Sequence, residues 1–330
     1  MQLANSVYPE FRNGQMKWLA SEVLNAGPFP QIGNVWYVDA VNGSDTANNG
    51  TAWNNAFKTL YAAHNAATTN NYDVIVVAPA GTGSGTGTNE SVYGAWTFSK
   101  NLITVIGSSA PTAISPRSRI LWETAGQSTS SALLTISGAG NSFINVQFGT
   151  FVDNNILVTV TGSRNFFQSV HFAGIGDATA GDDTAARSLV LSGAGECRFV
   201  DCTIGLDTVA RSVANASLEL TGSCDRNRFE GCIFPAFVDN AGALFAIMTT
   251  GNCYQRFVIF DKCIFLNAVD GSSTTMTVGI TNGGTGNGTI FLKDCWMRGA
   301  TDMFNTYTNA YVTNPTVNTA NQTFPVISAT

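Results

Sequence analysis

The sequence predicts an all-β chain wound into a single-stranded parallel β-helix. Three observations predict it. A short aromatic phrase returns about every thirty residues, an alternating apolar segment precedes each copy, and a Gly- or Asn-rich turn joins the two.

The phrases are FINVQF (Phe143–Phe148), FFQSVHF (Phe166–Phe172), FVDCTI (Phe199–Ile204), FEGCIF (Phe229–Phe234), FDKCIF (Phe260–Phe265) and FLKDCWM (Phe291–Met297), the last one residue longer. Their ends step by 24, 32, 30, 31 and 32 residues. A fixed period of this size marks a repeat architecture. The preceding segments, such as LLTIS (Leu133–Ser137), SLVLS (Ser188–Ser192) and SLELT (Ser217–Thr221), alternate with period two and read as strands. The turns between are GAGN, GSRN, GAGE and GSCDRN. Each unit is therefore strand, turn, strand, tight corner, short strand and a longer loop. β-branched alternation and glycines inside the unit exclude a helical repeat.

Stacked coils sit about 4.8 Å apart, so equal slots form columns. Phe143, Phe167, Phe199, Phe229, Phe260 and Phe291 are expected in one interior column. Phe148, Phe172, Ile204, Phe234, Phe265 and Met297 are expected in a second. Between them run Val146, Val170, Cys202, Cys232, Cys263 and Cys295. A thiol is a small apolar filler in such a slot. The recurring Cys thus reads as packing rather than metal or redox chemistry, because no CxxC spacing is present.

Composition agrees. Only 12% of the 330 residues are charged, against roughly a quarter in ordinary domains, and Gly, Asn, Thr and Ser fill the difference. The net charge of −6 gives no basic footprint for nucleic acid. No apolar run is long enough to span a bilayer. The N-terminus lacks a basic region followed by an apolar stretch, so no signal peptide is expected, and the seven Cys are expected as reduced thiols.

Toward the N-terminus the coils are fainter. Asp73–Pro79, Asn101–Gly107 and Arg119–Glu123 read as strands of the first coils. Thr51–Ala67 places Trp53, Phe57, Leu60 and Tyr61 on one helical face, a cap for the open end of the β-helix. The expected organisation is an N-terminal arm over 1–34, a cap over 35–72, the β-helix over 73–300 and a C-terminal cap or tail over 301–330.

The stretch Val35–Gly81 resembles the opening of right-handed β-helix proteins of the pectate-lyase-like superfamily. The shared features are Tyr37–Asp39, the turns Gly43–Asp45 and Asn49–Gly50, Phe57–Thr59, and a strand ending in Pro79–Gly81. The later Phe-x-x-Cys-x-Phe coils fit the same group, and the likeness covers about residues 35–300. It implies a right-handed coil. It leaves activity open, because this fold hosts lyases, hydrolases and inert structural proteins. Low-charge versions of the pattern are similar to tailspikes and head-associated proteins of tailed-phage virions. That resemblance implies a virion protein made in the host cytoplasm. It would be a capsid decoration protein, partnered by capsid or other virion proteins and self-associating as a homotrimer. The alternative is a tailspike that binds or cleaves host polysaccharide. For the decoration reading, Tyr8, Phe11, Trp18, Leu19 and Phe29 of the arm are the docking residues.

Two constellations could carry chemistry. Glu230 and Asp261 both follow a stacked Phe, so both should point outward on adjacent coils about 5 Å apart, the spacing of a retaining glycosidase pair. Arg198, Arg228, Lys262 and Lys293 lie close by, which favours a ladder of surface ion pairs instead. No outward aromatic platform for a sugar is evident in the repeats. The second constellation is an Asp column: Asp153, Asp177, Asp239, Asp270 and Asp302 each fall five residues past the reference position. Asp153, Asp239 and Asp270 are the candidate metal ligands, for calcium. Side-chain bonds to turn backbone are the favoured role of the column. His64 is placed on the cap helix and His171 facing outward, neither with a Ser or Cys partner for a triad. No cofactor is expected.

Overall fold

The computed structural model describes residues 10–12, 15–17, 33–81, 86–123, 132–153, 156–181, 183–249, 253–267, 273–283, 288–313 and 316–318. The fold is all-β, a right-handed parallel β-helix built from three sheets. The first sheet begins at Val35–Val38 and Val74–Val77 and ends at Thr289–Lys293 and Ala310–Thr313. The second runs from Thr88–Asn89 to Thr316–Asn318, and the third from Trp96–Phe98 to Ala300–Phe304. Every pairing within the three sheets is parallel, each strand bonding the equivalent strand one coil on. The antiparallel pair Glu10–Arg12 with Gln15–Lys17 belongs to none of them.

The columns follow from that register. Phe143, Phe167, Phe199, Phe229 and Phe260 are successive register partners, each fully buried. Their rings stack face to face at 5.2, 4.6, 4.6 and 4.9 Å between centroids. The second column contains Phe148 on Phe172 at 5.9 Å and Phe234 on Phe265 at 4.5 Å, with Ile204 between them in the stack. The Val146-to-Cys295 column is interior as the repeat predicts. Cys202, Cys232, Cys263 and Cys295 sit with their sulfurs 3.4–3.6 Å from carbonyls of the preceding coil. Burial, reinforced by neighbouring thiols of the column, pushes the Cys232 and Cys263 thiols far above their usual range. All seven cysteines are buried and none forms a disulfide.

The expected Phe291 slot is corrected. Phe260 pairs with Leu292, and Phe291 turns outward at 38% exposure. The extra residue of FLKDCWM lies between this Phe and the Cys, and strand pairing holds the Cys in register, so the Phe is displaced by one and changes face.

The tight corner between first and second sheets is one residue in the left-handed region. Asn145, Ser169, Asp201, Gly231, Lys262 and Asp294 occupy it with φ between 50° and 63°. The N–H of each donates to the next coil, as in Ser169 to Val200 O at 2.9 Å and Lys262 to Lys293 O at 2.8 Å. Inter-coil bonding therefore continues through the bend. At the other short corner, Asn141, Asn165 and Asn227, the last residues of GAGN, GSRN and GSCDRN, turn inward and are buried. Asn227 accepts from Cys197 N and donates to the carbonyls of Ala194 and Cys224, all at 2.8 Å.

At the N-terminal end the helix is shorter than the apolar pattern predicts. It spans Leu60–Ala66, preceded by a 3-10 turn at Trp53–Asn55. Phe57 instead bridges Val38 in extended backbone, and Trp53 is exposed. The start is set by side chains: Thr59 caps Ala62 N at 3.2 Å, and Asp45 accepts Lys58 N and Thr59 N at 2.7 and 3.1 Å. The buried Glu90 accepts Leu60 N and Tyr61 N at 2.8 and 3.1 Å. The helix packs against Val35–Val38, Val74–Val77 and Trp96–Phe98.

Candidate functional site

The outward face of the first sheet carries the densest set of charges. Parallel pairing puts like slots side by side, so Arg198 lies beside Arg228 and Glu230 beside Asp261. The predicted pair Glu230 and Asp261 is therefore adjacent, at coil spacing. Both carboxylates face cations. Arg198 Nη2 bonds Glu230 Oε2 at 2.6 Å, and Arg228 Nε lies in ion-pair contact with the other oxygen of Glu230, which has no hydrogen-bond partner among the described residues. Arg228 Nη2 also reaches Asp261 Oδ2 at 2.9 Å, while Lys293 Nζ lies 3.4 Å from Asp261 Oδ1. The result is one chain of alternating charge over four coils. Partial burial pulls the Asp261 carboxyl upward, but Arg228 and Lys293 outweigh it and hold it below the usual carboxylate range. A glycosidase pair needs one carboxyl kept protonated. At Asp261 the shift runs the other way.

A second ladder covers the short corner, where Arg164 and Arg226 flank Glu196 at 2.7 and 2.8 Å. On the third sheet, Arg187 pairs with Glu219 at 2.7 Å.

The Asp column is dispersed. Asp177 accepts Thr179 N at 2.8 Å, the turn role expected of it. Asp153 is half-buried and Asp239 exposed, each on its own loop. Asp302 lies on a strand of the third sheet, opposite Val278. Among the described residues no cluster of three or more His, Cys, Asp or Glu could hold a metal. Asp270 and the side chains of Tyr8, Phe11, Trp18, Leu19 and Phe29 lie outside the described residues.

His171 points away from the core as expected, yet it is fully buried. A loop over 108–118 roofs it: Ser115 N donates to Nδ1 at 3.0 Å, and Nε2 contacts Gly205 O at 3.0 Å. These partners specify a neutral imidazole with its proton on Nε2. Burial lowers its pKa to about 4. His64 is likewise buried, accepting from Ser99 N at 3.1 Å, and burial lowers it to about 4. Neither serves as a base in an open site.

Sequence reasoning missed outward aromatics on the last coils, Trp296 on the second sheet and Phe291 with Tyr311 on the first. Trp296 is 64% exposed and Tyr311 58%. Trp296 extends the outward column of Ile264, and Tyr311 stacks on the displaced Phe291 at 5.8 Å. The extra residue of FLKDCWM was the signal, since it moves Phe291 out and aligns it with Tyr311.

No protein-family model matches the chain, and no curated protein sequence matches it. Solved structures do. Pectate lyase Pel9A superposes with a TM-score of 0.52 at 15% identity, over 86% of this chain and 68% of the lyase. A mutant pectin methylesterase in complex with a hexasaccharide gives 0.56 at 14% identity, over 90% and 92% of the two chains. Pectin methylesterase PemA from Erwinia chrysanthemi gives 0.53 at 14% identity, over 89% and 91%. At this level of identity the likeness is one of fold.

Proposed function

We propose that this chain is a non-enzymatic structural β-helix of a tailed-phage virion. In this reading it is a capsid decoration protein, docked through residues 1–34 and assembled as a homotrimer. One observation carries the non-enzymatic part. The outward carboxyl pair at catalytic spacing is ion-paired with Arg198, Arg228 and Lys293, three of its four oxygens accepting hydrogen bonds from them. The continuous Phe and Cys columns support a stiff body, since every coil packs on the next. The virion setting rests on the resemblance of Val35–Gly81 and its coils. The test is binding to undecorated capsids by the full chain and by a chain lacking 1–34. The full chain binds and the shortened one does not. Binding that survives the deletion refutes docking through the arm. Release of reducing ends or unsaturated products from host polysaccharide, lost in Glu230→Gln, refutes the non-enzymatic assignment.

A second reading is favoured by the exposed Trp296, Phe291 and Tyr311. Phe291 and Tyr311 are flat rings at coil spacing, and Trp296 is exposed on the adjoining sheet. Such surfaces suit the apolar faces of sugars, and a structural neighbour is a pectin methylesterase with a bound hexasaccharide. In that reading the chain binds a surface polysaccharide without cleaving it. Trp296→Ala then abolishes glycan binding and leaves capsid binding intact. Equal glycan binding by Trp296→Ala removes this reading.

A further inference from the structure

Arg211 is a buried cation with incomplete partners. It belongs to the two-residue strand Ala210–Arg211, which pairs with the end of Ile233–Val238, and it is 2% exposed. The short helix Ala178–Gly181 packs over it. Its Nη1 donates to Leu244 O at 3.1 Å. Among the described residues its Nε and Nη2 meet no acceptor. The nearby charge is of the same sign: burial first, then Arg187, lowers the guanidinium to about 9.

Arg187 cannot share a counter-ion. Its Nε is bonded to Glu219 Oε2 at 2.7 Å, and its Nη1 to the carbonyls of Thr184 and Ala186 at 2.9 and 2.7 Å. Thr249 takes the other oxygen of Glu219 at 3.3 Å. Among the described residues, two guanidiniums and one carboxylate leave one positive charge uncompensated. An unpaired buried charge is destabilising by several kcal/mol, and buried donors without acceptors call for an ion or ordered water. The unpaired Nε–Nη2 edge is the planar fork that arginine presents to anions. A single negative charge balances the group, whereas a divalent oxyanion would reverse its sign. At 2% exposure the edge is closed to a chain ligand, so the occupant proposed is a small ion.

We propose that Arg211 holds a halide-sized monovalent anion on its Nε–Nη2 edge, beneath Ala178–Gly181, and that this ion fastens the excursion around that helix to the coils. Two experiments on the full chain test it. Crystals grown in sodium bromide should show an anomalous peak on the Nε–Nη2 edge. Replacing gluconate by chloride at constant ionic strength should raise the melting temperature saturably, by mass action. Arg211→Met should abolish that response. An empty anomalous map, or an equal response to chloride in Arg211→Met, overturns the proposal. Asp182 lies outside the described residues. A wild type indifferent to chloride beside an Asp182→Asn variant that responds to it would assign the counter-charge to Asp182 and also overturn the proposal. If Arg211→Met does not fold, the bromide map of the wild type decides.

Discussion

Replacing Cys197 by Asn should stabilise the protein. The inward slot at the short corner is filled by Asn in the coils of Asn141, Asn165 and Asn227, each buried. Asn165 Oδ1 accepts Asn141 N at 2.8 Å, while Nδ2 donates to the carbonyls of Gly138 and Gly162 at 2.9 and 2.8 Å. Cys197 fills the same slot with a thiol 3.7 Å from the carbonyls of Gly162 and Gly195. Its sulfur also takes the backbone N–H of Asn165. Sulfur is a weak donor and acceptor, whereas each conventional bond contributes about 1 kcal/mol net. Converting three weak contacts into three conventional ones should add roughly 1–2 kcal/mol. Overpacking opposes it, but the neighbouring coils already hold this side chain in this slot.

The reciprocal change, Asn227→Cys, should lose a similar amount. Asn227→Ala should lose roughly 3 kcal/mol or more, because Cys197 N and two carbonyls would be buried without partners. Scanning calorimetry of the three variants reads these values as melting shifts of about 2 °C per kcal/mol for a chain of this size. A folded Cys197→Asn that melts below the wild type refutes the reasoning. So does an Asn227→Cys that costs as much as Asn227→Ala.

Three further outcomes are expected. His171 is held near 4 against an ordinary 6.5, so its contribution is complete above pH 6.5 and lost as pH falls through about 4. That loss amounts to roughly 3 kcal/mol, and His171→Gln should flatten this part of the acid limb in melts run against pH. Glu90 has the opposite sign. Burial lifts its carboxyl to about 7 from 4.5, so the stability it contributes is complete below pH 4.5 and lost as pH rises through about 7. Glu90→Gln should remove that slope, and a slope unchanged in urea titrations at pH 5 and pH 8 would count against a titrating Glu90. Lys262 holds φ at 56°, a region glycine enters without strain. Lys262→Gly should therefore be neutral or stabilising by up to about 1 kcal/mol in chemical denaturation, and a loss of that size would show the corner unstrained.

The interior was legible because stacking converts a period into columns. Phe229 and Cys232 could be placed from spacing alone, since one residue of slip would turn either to solvent. The same rule explains the error at Phe291, which stands one residue further from its Cys than Phe260 does and so faces outward. The Asn ladder was written at the end of GAGN, GSRN and GSCDRN, but an Asn in a turn has many uses, and only the inward direction reveals this one. Outward positions were harder. His171 is outward in the coil and still buried, because the loop over 108–118 folds across the second sheet. Nothing in the period specifies where a loop lands.

The outward pair Glu230 and Asp261 was legible in position and also in charge, for a physical reason. A parallel stack places equal slots about 4.8 Å apart, so two acids in one column repel at short range whatever their role. An enzyme exploits that repulsion to keep one of them protonated. A structural coil removes it by interleaving cations. Arg228 sits between the two acids and is ion-paired with both, with Arg198 and Lys293 at either end. The bonds at the exposed ends contribute little stability each. Their effect is on charge state: Asp261 is driven toward its ionised form, away from the state that acid catalysis requires. The column therefore has the spacing of a catalytic pair and the electrostatics of a strut.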